Sequence, residues 1–88
     1  MVEKTVAIRN RLGLHARPAA MLVQSAAKFK SQIKILKEDQ EVDGKSIMGL
    51  MTLAACAGTN LRITAEGPDE NDAVSALVAL IESGFNEV

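Results

Sequence analysis

The chain has 88 residues, 48% apolar and only 2% aromatic, which fits one small domain, residues 1–88, with an aliphatic core. A net charge of −1 and the lack of Trp and Tyr argue against a nucleic-acid binder, which needs a basic surface or a base-stacking platform. One cysteine excludes an internal disulfide and a cysteine-built metal cage, and Met1-Val2-Glu3-Lys4 does not open like a signal peptide, so a cytoplasmic chain is expected.

Thr5–Arg9 reads as a strand, with Val6 and Ile8 sharing one face by the two-residue period. Asn10–Gly13 connects it to a helix over Ala16–Lys28, where Ala19, Leu22, Val23 and Ala26 form the buried stripe. Gln24 and Lys28 fall off that stripe and face water. Gln32–Lys37 alternates, with Ile33 and Ile35 inward; Glu38-Asp39 turns, and Gln40-Glu41-Val42 returns as a charged edge strand. Ser46 is placed to cap a short helix over Ile47–Leu53, weakened by Gly49. That run holds too many large apolar residues for one stripe, so some of Ile47, Met48 and Met51 must face outward, while Leu50 and Leu53 go to the core. The apolar run from Ile47 to Gly58 is too short to span a bilayer.

Gly58 is expected to close this local helix, and Cys56 to be a small buried apolar residue. Leu61–Glu66 is the fourth strand, with Leu61, Ile63 and Ala65 inward. Asp69 is placed to cap a last helix with Ala73, Leu77, Leu80 and Ile81 on its core face, flanked by Val74 and Ala76; Gly84 ends it and Phe85 packs back. No strand is apolar on both faces, so one sheet face is covered and one open. A right-handed crossover leaves a gap that the fourth strand fills, giving an antiparallel sheet in the order 1-4-2-3. The class is α+β, an open-faced sandwich with three helices on one face.

Chemistry concentrates at Gly13-Leu14-His15-Ala16-Arg17-Pro18-Ala19, which holds the one histidine of the chain. Pro18 is tolerated only in the first turn of a helix, so the helix begins near Ala16 with His15 at its mouth. Unpaired amides and the positive end of the helix dipole favour an anion there, and Arg17 adds a forked cation suited to phosphate oxygens. An imidazole so placed can accept a phosphoryl group, although spacing alone also fits a solvated surface histidine. Gly44-Lys45-Ser46 ends like a phosphate-binding P-loop, but Asp39 stands where its first glycine belongs. His15, Ala16, Arg17, Ala20, Gln24, Ile47, Met48 and Met51 are expected to form an apolar docking patch, with Lys28 and Lys45 extending its basic margin.

The Gly13–Ala19 segment, the Lys45-Ser46-Ile47-Met48-Gly49 run at its separation, the length and the element order together resemble the HPr family of the bacterial phosphotransferase system. The likeness spans essentially the whole chain. It implies a phosphoryl-group carrier, not a turnover enzyme: His15 takes a phosphoryl group on Nδ1 from enzyme I and passes it to an enzyme IIA protein or domain. It implies a regulatory phosphoserine at Ser46, made by HPr kinase/phosphorylase, with a transcriptional regulator as a further partner. A monomer without cofactor, metal, nucleic acid or membrane insertion is expected. The alternative is a regulatory protein-binding module on the same fold; relatives of that kind lack the histidine. The Ser46 run leans toward the kinase-regulated branch, and Ser83-Gly84-Phe85 toward the nitrogen-related one.

Overall fold

Alternation of apolar and polar side chains builds the sheet. In the computed structural model, which describes residues 1–86, β1 (Val2–Ala7), β2 (Gln32–Lys37), β3 (Gln40–Asp43) and β4 (Asn60–Glu66) pair antiparallel in the order β1-β4-β2-β3. The register sets Val6 beside Leu61, Ile35 beside Ile63 and Ile33 beside Ala65, so the inward rows adjoin and are buried together. A slip of one residue would turn these rows to water, which is why the register holds. The opposite face stays polar, and there Lys34 meets Glu41 at 3.2 Å. Three helices cover the inward rows: α1 (Ala16–Ala26), α2 (Ile47–Thr52) and α3 (Glu70–Glu82). The class, the strand order and the layering are those the sequence predicts.

Several local expectations change. The first strand begins at Val2, because Val2 pairs opposite Ala65 and the ladder overrides the charged look of Glu3 and Lys4. The first helix ends at Ala26, where Lys28 and Phe29 donate to the carbonyls of Ser25 and Ala26 in tighter turns. Pro18 is buried on α1 while Val23 is half-buried; Val74 is buried on α3 while Leu80 is half-buried. Gly58 does not close α2. Ala54, at φ 50°, takes the left-handed position after Leu53, and the Gly58 amide instead donates to the Ile8 carbonyl at 2.8 Å. Cys56 is exposed, not buried. Asp69 precedes α3 but does not bond its first turn; its carboxylate accepts from the Lys30 and Ser31 amides and the Ser31 hydroxyl. Phe85 packs into the core behind Gly84, as expected.

Candidate functional site

His15 stands at the boundary position of α1, with extended backbone at φ −84° and ψ −173°. Its carbonyl accepts from the Ala19 amide at 3.0 Å, the first bond of the helix. The amides of Ala16 and Arg17 lie ahead of any helical carbonyl partner, and Pro18 has no N–H, so the end of α1 presents two donors beside the imidazole. His15 is half-buried and Arg17 exposed, so the histidine is partly covered by the fold and still accessible in part.

The chain leading to His15 is held firmly. The Gly13 amide donates to the Asn10 carbonyl at 3.1 Å, and the buried Asn10 amide group donates back to the Gly13 carbonyl at 2.7 Å. Leu14 inserts into the core while its amide donates to the Ala55 carbonyl at 2.8 Å. Gly13 has φ 71°, and a Cβ there would collide with the Ala55 carbonyl oxygen. Glycine is therefore required for both its conformation and the close approach. These contacts fix the start of α1 against the segment that follows α2.

Ser46 is the N-cap of α2, its hydroxyl accepting from the Gly49 amide at 3.1 Å. Lys45 reaches across the molecule, its Nζ donating to the Phe29 carbonyl at 2.8 Å, so it ties the Ser46 segment to the exit of α1 and is less free to form a docking margin. Gly49, which costs helix propensity, has its reason in packing: a Cβ there would sit 3.1 Å from Val42 Cβ on β3.

α1 and α2 pack on each other, which brings the two halves of the expected docking patch onto touching helices. On α2, Met48 is 79% exposed, Ile47 44% and Met51 42%, against full burial of Leu50 and Leu53. On α1, Ala16 and Gln24 are exposed and Ala20 half-buried. Flexible, exposed methionine side chains suit a surface that adapts to more than one protein. A groove of about 460 Å³ between α1 and α3 is lined by Met21, Gln24, Ser25, Lys28, Ala76, Ala79 and Leu80, and so shares Gln24 with this patch and Lys28 with its expected margin.

Three exposed residues that closely precede His15 in the chain escaped the sequence reading: Arg9, Arg11 and Leu12. A signal existed. No Asp or Glu occurs from Thr5 to Lys37, although that stretch carries Arg9, Arg11, Arg17, Lys28, Lys30, Lys34 and Lys37. Among the described residues no carboxylate ion-pairs with Arg9, Arg11 or Arg17. A net charge near zero concealed this local excess. Also among the described residues, no helix is long and apolar enough to cross a membrane.

Comparison with known proteins identifies the family. A family model described as the PTS HPr component phosphorylation site matches residues 2–83. The phosphocarrier protein HPr of Treponema pallidum is 48% identical over 87 residues, covering 99% of each chain. The HPr-like protein Crh of Halalkalibacterium halodurans is 50% identical over 82 residues, 93% of this chain and 98% of that one. A crystal structure of HPr from Thermoanaerobacter tengcongensis superimposes with a TM-score of 0.96 at 52% identity, covering 100% of this chain and 99% of the other.

Proposed function

Because this chain belongs to the HPr family of phosphotransferase-system phosphocarriers, we propose that His15 is the residue that carries the phosphoryl group. Enzyme I supplies it, and an enzyme IIA protein or domain receives it. A lone pair on the His15 ring attacks the phosphorus of the donor. The new N–P bond forms as the bond to the donor breaks, and the reverse exchange unloads the carrier. Nδ1 is the nitrogen that the family resemblance implies.

The observation that carries this reading is the placement of His15 at the mouth of α1, beside the first-turn amides and Arg17. A carrier must hold its cargo without trapping it. One helix terminus and one guanidinium make a modest clamp, since the last turn or first turn of a helix contributes only about 0.3–1 kcal/mol to a nearby charge at an exposed site. Exposure serves the same end, because the imidazole has to meet two different proteins. The apolar face of Ala16, Ala20, Gln24, Ile47, Met48 and Met51, with Arg17 at its edge, is the docking surface for both.

Ser46 supports a second, regulatory use of this face. Its hydroxyl already points at the amide end of α2, where a phosphate is locally favoured. The added charge would lie beside Ile47 and Met48 and repel an acid-rimmed partner, a switch that needs no refolding. HPr kinase/phosphorylase would write it and a transcriptional regulator would read it. The protein acts as a cytoplasmic monomer in this reading.

The test is incubation with phosphoenolpyruvate, magnesium and purified enzyme I, followed by intact mass and acid treatment. The expected result is a gain of one phosphoryl group that acid removes and base spares, and its absence in His15→Ala. A chain that gains none, or a His15→Ala variant that gains it equally, overturns the assignment.

A further inference from the structure

Leu12 is 73% exposed, an aliphatic side chain left in water three residues before His15. It is not a loose loop residue. The turn that carries it is closed by the Asn10–Gly13 backbone bond at 3.1 Å and the Asn10 side-chain bond at 2.7 Å, with Asn10 and Leu14 both buried. Gly13 rests against the Ala55 and Cys56 backbone. A fixed turn with a solvated leucine at its tip is preorganised for contact, because little conformational freedom remains to be lost on binding.

We propose that Leu12 is an apolar anchor for the protein that accepts the phosphoryl group, and that it sets the affinity of that step; the inference rests on the carrier reading above. The choice of acceptor over donor follows from charge. Exposed Arg9, Arg11 and Arg17 give the unmodified carrier a positive surface near His15, free of ion pairs among the described residues. The donor meets that surface intact. The acceptor meets it after a phosphoryl group of about −1.5 to −2 charge has been set on His15, which offsets most of the attraction to an acidic rim. Contacts that carry no charge keep their full strength, so the acceptor complex leans on them more. Leu12 is the exposed large apolar residue nearest His15 in the chain, and the acceptor is expected to offer it an apolar recess.

The experiment measures the two half-reactions of the full chain separately: charging by phosphorylated enzyme I, and discharge of the phosphorylated carrier to a purified enzyme IIA. Leu12→Ser is expected to raise the KM of discharge about fivefold to tenfold, as partial loss of one buried leucine would. The kcat of discharge and the KM of charging should stay within about twofold, and Leu12→Met should restore the KM of discharge. Equal urea midpoints of the variants check that the fold is intact. An unchanged KM of discharge, an equal rise in the KM of charging, or a failure of methionine to restore it overturns the inference. A wild-type chain that takes no phosphoryl group overturns the carrier reading itself, and the inference with it.

Discussion

Ser46 is bound into its helix whether or not it is ever modified. Its hydroxyl satisfies the Gly49 amide at 3.1 Å, one of the donors a six-residue helix can least leave unpaired. Ser46→Ala is therefore expected to cost about 1 kcal/mol, read as a lower urea midpoint, while Ser46→Asp, which can still accept, should lose much less. Equal midpoints for wild type and the alanine variant would show that the cap adds nothing. This role was legible because a cap is a local device: serine, then an apolar run. The same holds for His15 and Pro18, whose places at the helix mouth follow from proline's missing N–H alone. Cys56 was misjudged because the small residues from Ala54 to Asn60 show no period, and without one nothing in the sequence assigns a side to each residue. Leu12 escaped for the opposite reason. A leucine between a strand and a glycine looks like core, and only the folded turn, closed by Asn10 and Gly13, shows it left exposed.

Among elements, Asp69 joins two connections that are distant in sequence. Its carboxylate accepts from the Lys30 amide at 2.8 Å, the Ser31 amide at 2.9 Å and the Ser31 hydroxyl at 2.5 Å, so the turn before α3 is pinned to the turn before β2. The Ser31 hydroxyl first, and then the Lys30 amide, lower its pKa from 3.8 to about 2. A carboxylate whose folded pKa is depressed stabilises the fold above its unfolded pKa, and that contribution is lost as pH falls through the folded one. The urea midpoint is accordingly expected to decline as pH drops from 3.8 toward about 2, and Asp69→Asn to be less stable at neutral pH with a shallower decline. Parallel declines for the two proteins would remove Asp69 from the explanation. The strands were legible from alternation, as Ile33, Ile35, Leu61 and Ile63 show, and their order followed from handedness and the covered face. The Asp69 clamp was not legible. Position before a helix predicts a cap, whereas the actual partner, Ser31, lies 38 residues away, where only the folded chain can bring it.

For the whole molecule, the overall charge of −1 is a poor guide to the field a partner meets. From Thr5 to Lys37 every charged side chain is cationic; beyond Lys37 the sequence holds ten acids, Glu38, Asp39, Glu41, Asp43, Glu66, Asp69, Glu70, Asp72, Glu82 and Glu87, and only two cations, Lys45 and Arg62. With a radius of gyration of 11.3 Å, the molecule is comparable in size to the screening distance, about 8 Å at physiological ionic strength. Charges on its near side therefore act on an approaching partner while those on the far side are largely screened. An acid-rimmed donor should be drawn toward the arginines around His15, with the pull concentrated in encounter rather than in the transfer itself. The second-order rate of charging by enzyme I is then expected to fall several-fold, on the order of threefold to tenfold, as salt rises from about 0.05 M to about 0.5 M, with kcat at saturation little changed. Discharge to enzyme IIA should fall less steeply, because the phosphoryl group on His15 has already offset part of the positive field. Stopped-flow measurement of both steps across one salt series compares them directly. Equal slopes would mean that the phosphoryl group on His15 does not offset the field that guides the partners, and a flat charging rate would mean that the arginines do not guide the donor and that docking rests on Ile47, Met48 and Met51.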